Sequence, residues 1–302
     1  MERSPHASGR LGLNLMNWFL SLTGKITRLL PDPIKKLPYQ IPSLARFLRR
    51  LFNRAAPIGL NKIRVASGIL EGYFLNLDMQ TEKDYWLGTY EMDLQTSLRQ
   101  LVKPGMITYD VGANIGYISL MLAHLVGSDG KVFSFEALLS NTIRWQENIS
   151  LNGLSDRTHL IHGAVADRQS TIRFLVHASG GMGKVIGSAG REESYEDEIE
   201  VLCISLDDFV FNQNNPAPDL IKLDIEGGEV LALPGMRRVL SETQPTLLME
   251  LHGQESIRVS WEILSDIGYR ICKMKPGFPI VHSIKELDWK SYLVAFPGTN
   301  KN

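Results

Sequence analysis

Of the 302 residues in the chain, 44% are hydrophobic and 22% are charged, which excludes global disorder and allows one large α/β domain with an appendage. The two cysteines, Cys203 and Cys272, exclude a disulfide framework, and because both lie in apolar runs we expect buried free thiols. The net charge is −1, but residues 1–62 contain 11 Lys and Arg against two acids, so they carry +9 and the remainder carries −10. A basic leader on an acidic body indicates an anionic surface as partner, or docking of the leader onto the body.

The leader, residues 1–62, has an amphipathic pattern. Over 11–30 one helical face is apolar and the other is polar and basic, and the apolar run is too short to span a bilayer. Such a helix either lies on a membrane surface or packs on the body or on a second subunit. Asn14 and Asn17 interrupt the apolar stretch, which argues against a signal peptide, so we expect a cytoplasmic protein, peripheral at the inner membrane surface if the helix binds lipid. Prolines follow as a linker, and residues 43–54 predict a second basic helix. Since no aromatic-rich binding motif accompanies these helices, we expect no nucleic-acid partner.

The remaining residues, 63–302, are predicted to form one domain with a doubly wound, mostly parallel sheet, because strand and helix patterns alternate after an initial hairpin. The hairpin is predicted over 63–80, and residues 86–91 lead into a helix that ends at Leu101. The predicted strands are 106–111, 131–136, 158–165, 170–177, 198–204, 219–224, 246–251, 269–274 and 291–296. The predicted helices are 117–126, 140–152, one that begins over 227–233, and 255–267. An insertion, Gly/Ser-rich and then acidic, occupies 178–197.

A glycine turn follows the first strand of this sheet. Asp110 ends the strand, and Gly112 and Gly116 follow with Asn114 between them. The spacing is not G-x-G-x-x-G and no Lys-Ser/Thr pair follows, so the turn is neither a dinucleotide fingerprint nor a phosphate-binding loop. An acid and an asparagine here suit a ligand with an amine and hydroxyls, while a purely structural turn is the alternative. Glu136 ends the next strand, where an acid accepts hydrogen bonds from ribose hydroxyls.

A second group of polar residues follows two later strands. Asp224 ends a buried strand on the other side of the sheet's switch point from Glu136. Glu226 and Glu229 come next at a helix start, where the helix dipole alone favours acids. Strand alternation puts Glu250 and His252 on one face. Together with Asp224 they could form a general base with its orienting group or a divalent-metal site, of which we favour the base without a metal.

These motifs together resemble the FkbM-type family of S-adenosylmethionine-dependent methyltransferases over about residues 65–296. The matching pieces are Gly88-Thr-Tyr90-Glu91, Lys103-Pro-Gly105, Asp110-Val-Gly112-Ala-Asn114-Ile-Gly116-Tyr117, Phe135-Glu136, Asn141, Glu147-Asn148, Asn152, Ala164-Val-Ala-Asp167, Ser205-Leu-Asp207-Asp208, Ile221-Lys-Leu-Asp224-Ile-Glu226-Gly-Gly-Glu229, Leu233-Pro-Gly235 and Glu250. The set is specific, although no single piece is.

The resemblance implies a class I, Rossmann-like methyltransferase fold and S-adenosyl-L-methionine as cofactor. The residues that it implies as cofactor contacts are Glu91, Asp110, Gly112, Asn114, Gly116, Tyr117, Glu136, Ala164 and Val165. The glycine turn would wrap the methionine part, Asp110 would approach its amino group, Glu136 would hold the ribose, and Ala164-Val165 would lie near the adenine. Tyr90 and Glu91 would close the site from the N-terminal side. The family usually has prolines after the ribose-binding acid, and here Ala137-Leu138-Leu139 follows, which keeps the carboxylate but alters the pocket.

From this resemblance we expect O-methylation of a sugar, glycan or secondary metabolite. Asp224 and His252 would act as base or acceptor-positioning groups, Glu250 would orient His252, and Glu226 and Glu229 would lie near the substrate. The insertion and the leader are expected to shape or locate the acceptor site. Two other classes stay open: an NAD(P)-dependent oxidoreductase, disfavoured by the missing G-x-G-x-x-G, and a catalytically silent, membrane-associated binding protein that keeps the fold.

Overall fold

A computed structural model of the chain describes residues 58–177, 183–189 and 195–298. The described residues fall into two compact units, which divide between Met92 and Asp93. The expected helices over 11–30 and 43–54 lie outside the described residues, so they stay predictions, as does the domain boundary at residue 62. Within the described ranges, no helix has the length and apolar character needed to cross a membrane.

The described part of the first unit contains the predicted hairpin and one helix. Strands β1 (Leu60–Arg64) and β2 (Phe74–Asp78) pair antiparallel, and helix α1 (Lys83–Leu87) buries Trp86. Helix α1 ends at Gly88 in a left-handed conformation with φ of 69°, which glycine adopts without steric cost. Helix α2 (Met92–Leu101) begins at the last residue of the first unit, lies otherwise in the second, and ends at the predicted residue.

The second unit is built on a seven-stranded sheet of order β12-β13-β11-β10-β3-β4-β5. Its strands are β3 (Ile107–Val111), β4 (Lys131–Glu136), β5 (Thr158–His162), β10 (Leu220–Leu223), β11 (Thr246–His252), β12 (Arg270–Lys273) and β13 (Lys290–Phe296). Strand β13 runs antiparallel to both of its neighbours, and the other neighbours pair parallel. The predicted doubly wound, mostly parallel sheet is therefore confirmed. All four residues of β10 are buried, as expected for a strand covered on both faces.

Helices and short helical turns connect these strands. The α-helices are α3 (Tyr117–Val126), α4 (Leu139–Leu151), α5 (Glu229–Ala232) and α6 (Gln254–Ile267). Leu233–Met236 and Ile284–Glu286 are 3₁₀ turns, and Asp208–Asn212 and Val239–Thr243 are π-helical turns. The chain runs from β3 outward to β5 and then returns to β10 on the other side of β3. The carboxyl ends of β3, β4, β10 and β11 consequently meet at the switch point, where ligands bind in this class of sheet.

A second sheet, of order β6-β9-β7-β8, lies in the same unit. Its strands are β6 (Ala164–Val165), β7 (Ser170–His177), β8 (Gly183–Val185) and β9 (Tyr195–Ile204). The prediction of one strand over 158–165 is wrong, because the chain leaves the main sheet at Gly163. The Gly163 N–H donates to the Glu136 carbonyl, and a Cβ on Gly163 would lie 2.9 Å from the Leu202 carbonyl oxygen of β9. The close approach of β9 thus separates β5 from β6.

The core of the sheet is aromatic near β3 and β4. Tyr109, Phe133 and Phe135 pack around Phe209 with ring centroids 5.2 to 5.9 Å from the Phe209 ring. The Tyr109 hydroxyl donates to the Pro216 carbonyl at 2.5 Å, so its buried polar tip is satisfied. The two cysteines are buried free thiols, as predicted.

Candidate active site

The glycine turn after β3 has the tight backbone that its sequence predicts. Gly112 and Gly116 have φ of 80° and 88°, and Asn114 has φ of 49°. A Cβ on Gly112 would lie 1.9 Å from the Asp224 carbonyl oxygen, and one on Gly116 would lie 2.8 Å from Cδ1 of Trp145. Only glycine therefore lets this turn pass so close to the loop after β10 and to helix α4.

Glu136 at the end of β4 holds the turn in place. Its Oε2 accepts from the Asn114 N–H at 2.8 Å, and its Oε1 accepts from the Leu138 N–H at 2.9 Å and from Asn141 Nδ2 at 3.2 Å. Burial raises the pKa of Glu136, and these donors offset part of that rise. An ionised carboxylate can accept about four hydrogen bonds, so these three leave capacity for a ligand hydroxyl.

Asp110 lies beneath the turn and is fully buried. Its Oδ2 accepts from the Ser119 hydroxyl at 2.6 Å, and its Oδ1 lies 3.3 Å from the Lys222 ammonium nitrogen. Ser119 in turn accepts from Ser134 and from the Trp145 ring N–H, both at 2.9 Å. Asp110 thus anchors β3 to helix α3, while its expected approach to the cofactor amino group stays a prediction.

The second polar group forms at the ends of β10 and β11. His252 Nε2 lies 2.9 Å from Glu250 Oε1 and 3.7 Å from Glu226 Oε2. The Lys290 ammonium, at the start of β13, also pairs with Glu250 Oε1. His252 is 1% exposed and Asp224 has a side chain 20% exposed. Asp224 is therefore the more accessible of the two predicted base candidates.

Three ligating atoms, one each from Asp224, Glu250 and His252, lie within 4.8 Å of one another. That spacing is compatible with a shared divalent cation. The Lys290 ammonium already brings a positive charge to Glu250, however, and His252 directs Nε2 to the same carboxylate. The structure thus shows His252 hydrogen-bonded to Glu250, with Asp224 beside this pair.

The pKa values of this group are moved in different directions by their surroundings. Burial raises the pKa of Asp224 to about 6, although the nearby Lys222 ammonium opposes the rise. Burial alone would raise the pKa of Glu250, but the hydrogen bonds from His252 and Lys290 outweigh it and lower the pKa to about 2. Burial alone would lower the pKa of His252, but Glu250 and the neighbouring carboxylates raise it. Of the two carboxylates beside His252, Asp224 and Glu250, Asp224 is thus the one whose pKa lies nearer neutrality, as a general base requires.

The two predicted substrate residues have different surroundings. Glu226 has φ of 52° and a side chain 33% exposed, and its Oε2 lies 3.7 Å from His252 Nε2. Glu229 is fully buried at the start of α5, where its Oε1 accepts from the Ile225 N–H at 3.2 Å and its Oε2 from the Ser256 hydroxyl at 2.6 Å. Burial raises the pKa of Glu229 to about 7. Glu229 therefore holds the loop after Asp224 through the Ile225 N–H, and its expected substrate contact stays a prediction.

The remaining implied cofactor residues fall in several places. Ala164 and Val165 are buried in β6, and Ala164 packs in one cluster with the Ala137-Leu138 pair that follows Glu136. Tyr117 is buried at the start of α3. Glu91, with φ of 47°, belongs to the first unit with Tyr90, and the role implied for both stays a prediction.

Part of the insertion reaches the loops that bear the acid–base group. The Ala189 N–H donates to the Gly227 carbonyl at 3.0 Å. A Cβ on Gly253 would lie 2.2 Å from the Ala189 carbonyl oxygen. Since Gly227 follows Glu226 and Gly253 follows His252, the described end of the insertion packs against both loops.

Two lysines of the site were missed by the sequence analysis. Lys222 interrupts an otherwise apolar buried strand. Because a lysine is almost never fully buried unless it is paired, its position in that strand could have predicted a buried acid partner. Lys290 had no such signal, because nothing local indicates that β13 inserts antiparallel beside β11.

Comparison with known proteins gives the following matches. The sequence pattern described as Methyltransferase FkbM domain matches residues 110–271, more than half of the chain. The hexuronic acid methyltransferase AglP of Haloferax volcanii is 24% identical over 205 residues, which make up 65% of this chain and 78% of that protein. The methyltransferase FkbM structure from Methylobacillus flagellatus has a TM-score of 0.41 at 17% identity, covering 74% of this chain and 56% of the other. A SAM-dependent O-methyltransferase structure from Thermotoga maritima has a TM-score of 0.40 at 16% identity, covering 70% and 67%.

Proposed function

Because the chain belongs to the FkbM methyltransferase family and its cofactor is S-adenosyl-L-methionine, we propose that it methylates a hydroxyl group of a sugar or glycan. Family membership removes the oxidoreductase alternative. The observation that carries the hydroxyl specificity is the acid–base group of Asp224, Glu250 and His252 at the same sheet edge as the glycine turn. The sugar acceptor is supported by the Haloferax volcanii relative, which is named a hexuronic acid methyltransferase.

The residues of the glycine turn fit this cofactor. The turn excludes side chains at Gly112 and Gly116, and Glu136 keeps capacity to accept from a ribose hydroxyl. When bound, S-adenosyl-L-methionine supplies an electrophilic methyl group on a positively charged sulfur, which is already a good leaving group. The protein therefore has to align the acceptor hydroxyl and remove its proton.

Asp224 is the base in this proposal. It is the accessible member of the group, and its pKa of about 6 lets it be ionised at neutral pH and still accept a proton. His252 positions the acceptor and is held by Glu250, which Lys290 fixes in turn. Glu226, one-third exposed beside His252, lines the acceptor side.

The test combines methyl transfer with cofactor binding. Transfer from radiolabelled S-adenosyl-L-methionine to glucuronic acid, its methyl glycoside and neutral methyl glycosides is measured for the wild type, Asp224→Asn and His252→Ala. We expect both variants to lose turnover, Asp224→Asn by at least 100-fold, with S-adenosylhomocysteine affinity within threefold of wild type. Asp129→Asn, at the opposite edge of the sheet, is the matched control and should keep full turnover.

Unchanged turnover in Asp224→Asn would remove Asp224 as the base. A wild type that binds S-adenosylhomocysteine but methylates none of the sugars would contradict the sugar acceptor, and would favour a secondary metabolite or the catalytically silent alternative. The cytoplasmic location and the contact of residues 11–30 with the inner membrane surface or a second subunit stay predictions.

A further inference from the structure

Lys222 is a buried lysine that contacts the glycine turn and the proposed base at once. It is 4% exposed and lies in β10, in register with Asp110 on β3. Its ammonium donates to the Gly112 carbonyl at 2.8 Å and to the Val111 carbonyl at 3.4 Å. The same nitrogen lies 3.3 Å from Asp110 Oδ1 and 3.8 Å from Asp224 Oδ2.

The positive charge of the Lys222 ammonium compensates the buried carboxylate of Asp110. In the part of the chain that the structure describes, Asp110 Oδ1 has no hydrogen-bond partner, so the charge of Lys222 is its principal compensation. A buried ammonium is costly unless its protons are used, and here the two carbonyls and two carboxylates surround it. The simplest role for Lys222 is therefore to neutralise Asp110.

The contact with Gly112 indicates a second role. Gly112 is the first residue of the turn, and its carbonyl accepts from Lys222 at 2.8 Å, the shortest of the contacts named above. The backbones of the two loops also meet there, since the Asp224 carbonyl oxygen fills the place of a Gly112 Cβ and the Asp224 N–H donates to Val111 at 3.2 Å. A single ammonium thus joins the loop that faces the cofactor to the loop that carries Asp224.

We propose that Lys222 is a positioning residue that fixes the Gly112 carbonyl, and with it the glycine turn, relative to Asp224. Lys222 itself touches neither cofactor nor acceptor in this role. That Lys222 fixes the glycine turn depends only on the cofactor of the family. That it fixes the turn relative to the catalytic base rests on the proposed function, in which Asp224 is that base.

The experiment separates positioning from simple charge neutralisation by removing the charge of Asp110 first. Asp110→Asn is compared with the double variant Asp110→Asn/Lys222→Met, because in this background neutralisation of Asp110 is no longer needed. If Lys222 positions the turn, the double variant binds S-adenosylhomocysteine at least tenfold more weakly than Asp110→Asn in calorimetric titration. Lys131→Met, at the exposed start of β4 on the opposite edge, is the matched control and should bind as the wild type does.

Hydrogen exchange gives a readout that needs no ligand. The Gly112 and Ala113 N–H groups both donate to the Phe135 carbonyl at 3.0 Å, so their exchange reports on the turn. We expect exchange at least tenfold faster in the double variant than in Asp110→Asn, at equal thermal stability. Equal affinity and equal exchange in the two variants would overturn the proposal and leave Lys222 as a charge partner. A wild type that fails to bind S-adenosylhomocysteine would contradict the cofactor site instead, and the exchange data would still decide the role of Lys222.

Discussion

Replacing Glu229 by glutamine should make the folded protein more stable above pH 7 and leave its stability unchanged near pH 4. Glu229 is fully buried, and burial raises its pKa from 4.5 to about 7. A group with a raised pKa in the folded state contributes stability that is fully present below its unfolded pKa and is lost as the pH rises through its folded pKa. Between pH 4.5 and pH 7 the wild type therefore loses stability that a neutral side chain at position 229 does not lose.

The size of the effect follows from the shift. One pKa unit corresponds to about 1.4 kcal/mol, so a shift from 4.5 to about 7 corresponds to about 3 kcal/mol in the free energy of unfolding. Glutamine has the shape of the protonated acid, and it can accept from the Ile225 N–H through its oxygen and donate to the Ser256 hydroxyl through its amide nitrogen. The substitution thus keeps both contacts and removes only the proton equilibrium.

Urea unfolding followed by tryptophan fluorescence measures the difference at pH 4, 5.5, 7 and 8.5. We expect Glu229→Gln to match the wild type at pH 4 and to exceed it by about 2 to 3 kcal/mol at pH 8.5. Glu262→Gln, on the exposed face of α6, is the matched control and should change the free energy of unfolding by less than about 0.5 kcal/mol at any pH. Parallel curves for Glu229→Gln and the wild type would refute the reasoning, because Glu229 would then ionise alike in the folded and unfolded chains.

Two further predictions concern the cofactor side. Glu136→Ala should weaken S-adenosylhomocysteine binding at least 100-fold, because the Asn114 N–H loses its acceptor and the ribose loses its partner. The control variant Glu147→Ala should bind as the wild type does. Equal affinities of the two variants in calorimetric titration would contradict the assignment of Glu136 to the ribose. Gly116→Ala should lower the free energy of unfolding by about 2 to 4 kcal/mol, since it combines a positive φ with a contact of 2.8 Å to Trp145. Gly153→Ala, with positive φ but open space around it, should cost only about 1 kcal/mol, and an equal loss in both variants would exclude the Trp145 contact as a cause.

The sheet and the two halves of the site could be predicted because they depend on local patterns. The run of β10, apolar except for Lys222, indicated a buried parallel strand. The period of two along β11 placed Glu250 and His252 on one face, where the structure pairs them at 2.9 Å. Acids at strand ends identified the edge where Glu136 and Asp224 lie, because parallel strands end at the same side of a sheet.

The features that the sequence analysis did not anticipate depend on contacts distant in sequence. Glu229 resembles an ordinary helix-start acid in the sequence. In the structure it is buried, and the hydroxyl that donates to it belongs to Ser256, 27 residues later. Gly163 looks like one glycine within an apolar run, yet the backbone of β9 beside it splits the predicted strand in two. Lys290 reaches Glu250 because β13 pairs antiparallel with β11. No local sequence pattern predicts that pairing.

The contact of Ala189 with Gly227 and Gly253 bears on how related proteins could differ in the acceptor that they methylate. The described end of the insertion touches the chain beside Glu226 and His252, whereas the glycine turn and Glu136 are held by β3, β4 and helix α4. Under the proposed function, changes in the length or sequence of the insertion are expected to act on the acceptor side first and to leave the glycine turn and Glu136 in place. We expect, on the same assignment, that grafting this segment between relatives changes which acceptor is methylated while the affinity for the methyl donor is kept.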